Sequence, residues 1–121
     1  MATILLAEDE AVLRMLIVDS LEDEGYEIDI ACDGEEAYDK ITQRDYDLLI
    51  LDYMMPKLTG IEVIEKTRKL MGKQSVPIMM LSAKSQLSEQ QKVIAAGADA
   101  FLSKPFSPLA LIDKVKEMLN G

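Results

Sequence analysis

Apolar positions along the chain follow two alternating rhythms. Short runs, Thr3 to Ala7, Glu27 to Ala31, Leu48 to Leu51, Pro77 to Leu81 and Ala100 to Leu102, are separated by longer segments of helical period. Five successive strand-then-helix alternations predict βαβ units and a parallel sheet covered by helices. The third and fourth runs are the most continuously apolar, as central strands buried on both faces should be. Helix starts are marked by Asp33 with Glu36, Thr59 with Glu62 and Ser88 with Gln91 at capping-box spacing, and by Ser107-Pro108 as an N-cap before proline. Gly25, Gly72 and Gly97 fall where a left-handed residue would close a helix. No linker, repeat or low-complexity segment breaks the pattern, so residues 1–121 read as one domain.

The first helix, about Glu10 to Glu24, places Leu13, Leu16, Ile17, Ser20 and Leu21 at core spacing. Val12, Met15 and Val18 then form a second apolar stripe beside the acidic pair Glu8 and Asp9. Two readings stand for that stripe: apolar residues singly exposed, as on many proteins, or a surface that docks a partner.

Composition narrows the partners. A net charge of −9 disfavours DNA, RNA or an anionic membrane, which reward clustered Lys and Arg. Cys32 is the sole cysteine, which excludes an intrachain disulfide, and its place in an apolar run predicts a small buried residue. With no signal peptide and no apolar stretch long enough to span a bilayer, a cytoplasmic protein without membrane insertion is expected.

The candidate chemistry lies at the ends of the runs. Glu8 and Asp9 end the first, and Asp52 ends the third. If those strands are parallel, three carboxylates converge at the carboxyl edge of the sheet, where open α/β sheets bind ligands. Crowded carboxylates repel unless positive charge sits among them, and a hard divalent cation such as Mg2+ answers that need. Ser82 ends the fourth run, and Lys104 of Lys104-Pro105 follows the fifth, so a hydroxyl and an ammonium reach the same edge.

In order and spacing, Glu8-Asp9, Asp52 with Met55-Pro56 and Gly60, Ser82-Ala83 and Lys104-Pro105 resemble the receiver domain of two-component response regulators, over essentially the whole chain. The resemblance implies a flavodoxin-like three-layer α/β/α sandwich, with five parallel strands in the order 2-1-3-4-5. It implies a phosphoacceptor at Asp52, fed by a phosphohistidine on a sensor histidine kinase or a histidine phosphotransferase, and an output delivered to a downstream effector protein. Asp9, Asp52 and the backbone carbonyl of Met54 would hold Mg2+, with Glu8 acting through water, while Lys104 and Ser82 would contact phosphoryl oxygens. Ser82 and Phe101 occupy the positions of the switch pair, whose coupled motion alters the face formed by the fourth helix, fifth strand and fifth helix; Phe101 also suits a plain core position. Met54 and Lys84 would flank the path of hydrolytic water and tune phosphoryl lifetime. The stripe of Val12, Met15 and Val18 would dock the histidine-bearing helix.

Such a chain is a signalling protein, catalysing only its own phosphorylation and dephosphorylation, and a monomer or weak dimer. A stand-alone regulator and an excised domain would read alike. A phosphatase of the haloacid dehalogenase type needs a second Asp two residues past the nucleophile, where this chain has Met54. A flavin carrier needs a hydroxyl-rich loop where Glu8, Asp9 and Glu10 stand, and a Rossmann binder needs a glycine-rich first turn. A degenerate receiver serving as a phosphorylation-independent binding module is the remaining alternative.

Overall fold

The computed structural model describes residues 1–83 and 87–120. Strands β1 (Thr3–Ala7), β2 (Glu27–Ala31), β3 (Leu48–Asp52), β4 (Ile78–Ser82) and β5 (Ala100–Ser103) alternate with helices α1 (Ala11–Glu22), α2 (Gly34–Gln43), α3 (Gly60–Arg68), α4 (Leu87–Ala96) and α5 (Pro108–Asn120). The strands pair in parallel in the order β2-β1-β3-β4-β5, as expected of a flavodoxin-like sandwich. Each strand lies within one residue of its sequence-based bounds.

Period-two alternation sends the strand side chains into two cores. Leu5, Leu49, Leu51, Ile78 and Met80 pack with Ala37 and Ile41 of α2, Val63 and Ile64 of α3 and Val93 of α4. On the other face Ile4, Leu6, Leu48, Ile50, Met79 and Leu81 pack with Ile17 and Leu21 of α1 and Leu111 and Val115 of α5. Every residue of β3 and β4 is buried, whereas the edge strands β2 and β5 are mostly half-buried. That is why only the central runs read as unbroken apolar sequence.

Local signals explain most helix ends. Thr59 and Glu62 form a reciprocal capping box. Asp33 accepts from the Glu36 amide, while Glu36 reaches back one residue further, to the amide of Cys32. Ser107 Oγ accepts from the Ala110 amide. Gly97 adopts φ 122° after α4, where its carbonyl receives the Arg68 guanidinium.

Three expectations change. Val18 is not part of the exposed stripe: it is half-buried and packs on the second core, while Leu16, expected inside, is 43% exposed. Positions 14 and 18 lie one turn apart on the face of α1 that also carries the buried Ile17 and Leu21, and there Arg14 donates to the Glu8 carbonyl at 2.9 Å. Cys32 is exposed, because it lies just beyond edge strand β2 and the alternation that buries Ala31 turns it outward. Ser88 lies inside α4, which begins at Leu87, so it is not the N-cap. Lys84 falls outside the described residues.

Candidate functional site

Strand pairing decides what meets at the carboxyl edge. Ala7 lies opposite Leu51, so Glu8 and Asp9 emerge beside Asp52, the last residue of β3. Carboxylate oxygens from Glu8, Asp9 and Asp52 all lie within 4.8 Å of one another. Ser82 pairs with Ser103, and the Lys104 amide donates to the Ser82 carbonyl at 2.8 Å, which carries the register past the strand end and directs Lys104 across the edge. Its Nζ lies 3.0 Å from Asp52 Oδ1 and 3.1 Å from Glu8 Oε1.

Glu8 and Asp52 are buried, while Asp9 is exposed. Burial is the main reason the Glu8 carboxyl is pushed up to about 7, with the nearby charge of Asp52 adding to it; the Glu10 amide and Lys104 act the other way. Burial also raises the Asp52 pKa, against the opposing pull of Lys104. Burial would lower the Lys104 pKa, but the two carboxylates outweigh it and keep the ammonium charged. Among the described residues one ammonium faces the three carboxylates, which leaves them an excess of negative charge, and an all-oxygen set of this size suits a hard divalent cation such as Mg2+.

The loop after Asp52 is braced on several sides. The Tyr53 amide donates to Leu81 O at 2.8 Å, and the Tyr53 carbonyl accepts from the Gly60 amide at 2.9 Å. A Cβ on Gly60 would stand 2.4 Å from the Asp52 carbonyl oxygen, so α3 can start this close to β3 only with glycine. Lys57 has φ 73°, within a three-residue turn closed by Leu58 N donating to Pro56 O at 2.9 Å. Met54 is 62% exposed, on the outer side of this loop. The Tyr53 hydroxyl donates to Glu89 Oε2 of α4 at 2.8 Å.

The other proposed residues lie around this edge. Ser82 is buried, and Phe101 is half-buried against the core that holds Val93 of α4. Val12 and Met15 are exposed, with Leu16 taking the place expected of Val18. Leu13, Leu16, Ala83, Pro105 and Phe106, with Glu10 and Lys104, line a groove of about 440 Å³. Sequence reasoning missed the Tyr53–Glu89 pair, the left-handed Lys57 and the role of Arg14. An arginine one turn into α1 was the visible signal for the last; nothing local marks the first two.

The structure is a doubly wound parallel sheet with an acidic cluster and a lysine at its carboxyl edge, and comparison with known proteins narrows its class. Residues 4–116 match the family model for the response regulator receiver domain. The phosphate regulon transcriptional regulatory protein PhoB of Rhizobium meliloti is 41% identical over 117 residues, covering 97% of this chain and 52% of that protein. The chemotaxis response regulator CheY4 of Vibrio cholerae superposes with a TM-score of 0.94 at 34% identity, over 98% of this chain and 99% of that one. The receiver domain of the sensor histidine kinase PA1611 of Pseudomonas aeruginosa, solved with magnesium coordinated in its active-site cleft, gives a TM-score of 0.92 at 27% identity, over 99% of this chain and 98% of that one. The chain belongs to the response regulator receiver family. It spans about half the length of the curated relatives it matches. Among the described residues, no helix is long and apolar enough to cross a membrane.

Proposed function

We propose that this chain is a Mg2+-dependent phosphoacceptor, taking a phosphoryl group from a phosphohistidine onto Asp52 and signalling through a conformational switch. The observation that carries the reading is the contact of Asp52 Oδ1 with Lys104 Nζ inside the Glu8–Asp9–Asp52 cluster. An Asp52 oxygen attacks phosphorus, the P–N bond to the donor imidazole breaks with its electron pair leaving on nitrogen, and an aspartyl phosphate remains. Lys104 stays charged and follows the phosphoryl oxygens, exchanging a carboxylate partner for a phosphate one. Ser82 donates its hydroxyl to another phosphoryl oxygen. Asp9, Asp52 and the Met54 carbonyl would hold Mg2+, with Glu8 acting through water, and the ion would supply charge that lets a phosphate dianion approach a carboxylate.

Ser82 and Phe101 form the switch pair, in adjacent strands beside α4. Their movement changes the α4–β5–α5 face read by a downstream effector. Met54, exposed beside Asp52, and Lys84 tune the access of water to the acyl phosphate. The donor is a cytoplasmic histidine kinase or histidine phosphotransferase, whose helix docks on Val12, Met15 and Leu16 and along the adjoining groove.

Intact-protein mass after exposure to acetyl phosphate, with and without Mg2+, tests the reading on the wild type and Asp52→Asn. A labile phosphoryl adduct requiring both Mg2+ and Asp52 is expected. A folded protein that gains no adduct from acetyl phosphate or from a phosphohistidine donor would instead be a binding module independent of phosphorylation.

A further inference from the structure

The residue that follows the acceptor is tied at both ends. The Tyr53 backbone is fixed to β4 and to the start of α3, while its hydroxyl donates to Glu89 of α4 at 2.8 Å. The Glu89 side chain is only 15% exposed, with Lys92 Nζ 3.8 Å from its other oxygen. A charge held this far from water binds its donor more firmly than a surface carboxylate does.

Helix α4 carries Glu89 in its first turn. Among the described side chains it buries only Val93 fully, whereas α1 buries Ile17 and Leu21, α5 buries Leu111 and Val115, and α2 and α3 bury three or more residues each. On the described side chains, α4 is the helix with the fewest fully buried residues, and such elements are the more readily displaced. A 2.8 Å hydrogen bond is lost once its ends separate by about 1 Å, so a shift of α4 against the sheet must break it.

We infer that the Tyr53–Glu89 hydrogen bond is a tether that holds α4 in the unphosphorylated arrangement and is released when Asp52 carries a phosphoryl group. Tyr53 and Glu89 are then positioning residues: they set how readily the site is loaded without touching the reacting atoms. The inference rests on the acceptor and switch reading above and adds the bond against which that switch works. An interaction present in only one of two states shifts the equilibrium between them by its own free energy.

The test uses the full chain as wild type, Tyr53→Phe, Glu89→Ala, Glu89→Gln and the Tyr53→Phe/Glu89→Ala double variant. Calorimetry gives the affinity for beryllofluoride, a phosphoryl mimic, in saturating Mg2+, and urea midpoints are read for free and loaded protein. Tyr53→Phe and Glu89→Ala should each tighten binding about ten- to a hundredfold, the size of one hydrogen bond to a charged group. The double variant should gain no more than either alone, and Glu89→Gln, which keeps an oxygen acceptor, should gain less. The urea midpoint should fall for the free variants and match wild type when loaded. Unchanged affinity, with free and loaded forms destabilised alike, would make the pair a brace common to both states and overturn the tether. A folded wild type that does not bind beryllofluoride would overturn the acceptor reading and the tether with it, so the two failures are told apart by the wild type alone.

Discussion

Replacing Gly60 by alanine sets two effects of opposite sign against each other. Gly60 opens α3 and does not have a positive φ, so alanine there should gain up to about 1 kcal/mol from helix propensity. Space decides otherwise. The new Cβ would lie 2.4 Å from the Asp52 carbonyl oxygen and 2.8 Å from Met80 Cε. The methionine end can swing away; the backbone oxygen cannot move without taking Asp52 with it. Reaching an ordinary contact requires a shift of about 1 Å, and overpacking of this kind costs about 1–3 kcal/mol. The net expectation is a loss of about 1–2 kcal/mol. With an unfolding entropy of roughly 0.25 kcal/mol/K for a chain of this length, Tm should fall by about 4–8 °C.

Because the strain is delivered to the acceptor's own backbone, the rate of modification by acetyl phosphate should fall further than stability alone requires. Val115→Ala, which trims the core on the α5 side away from this loop, gives the comparison at similar stability. Urea denaturation and a mass-spectrometric time course, both at 25 °C with Mg2+, measure the two quantities. A Gly60→Ala protein at least as stable as wild type would refute the steric argument. Equal rates for the two variants would refute the link from α3 to the acceptor.

Other expectations follow from single contacts. Lys104→Met removes the ammonium shared by Asp52 and Glu8, so metal-free stability should fall by about 2–3 kcal/mol and Mg2+ should restore part of it; a urea midpoint indifferent to both changes would count against the pairing. Asp29 receives Tyr46, Lys40 and Arg44, and although burial works the other way these partners hold its carboxyl below the usual range. Its contribution should therefore be complete above about pH 4 and be lost as pH falls through the lower folded value, so the stability gap to Asp29→Asn should close between about pH 5 and pH 2, and a constant gap would contradict this. Arg68 donates to the carbonyls of Gly97, Lys73 and Val76 and to Asp99, so Arg68→Ala should cost about 3 kcal/mol in urea unfolding, and a loss below about 1 kcal/mol would show that water replaces it. Met15→Asp should slow phosphotransfer from a histidine-bearing partner while leaving the acetyl phosphate rate alone, and equal slowing of both would move the dock elsewhere.

The sheet was legible because its signals are local and repeated. β3 and β4 are apolar throughout, Asp33 and Thr59 cap where their spacing says, and Asp52 ends its strand. What the sequence did not disclose depends on contacts between distant segments. The facing of α1 is fixed together with tertiary contacts such as Arg14 to the Glu8 carbonyl, and a wheel drawn on apolar residues alone ranks Leu16 above Val18. The Tyr53–Glu89 bond spans 36 residues and joins a loop to a helix whose start was placed on Ser88. Lys57 at φ 73° has no marker in its type, since lysine rarely takes that conformation. The acidic cluster could be inferred because parallel pairing forces strand ends together; the burial of Glu8 and the exposure of Asp9 could not.

The two ends of the sheet are built for different purposes. At the amino edge opposite charges close the structure: Asp47 takes the Thr3 amide, Lys73 joins Asp45, and Asp99 takes both Arg68 and the Ile78 amide. At the carboxyl edge, among the described residues, three carboxylates share one ammonium, and two of them are buried. Such crowding lowers stability in the free protein, and it is tolerable because the cores and the amino edge hold the strands in register regardless. The same stored repulsion is what a divalent cation relieves, so metal affinity and local instability have one origin. Helix α4 is tied through Glu89 to the residue after Asp52, so under the proposed phosphoacceptor reading a change of charge at Asp52 arises one residue from that tie.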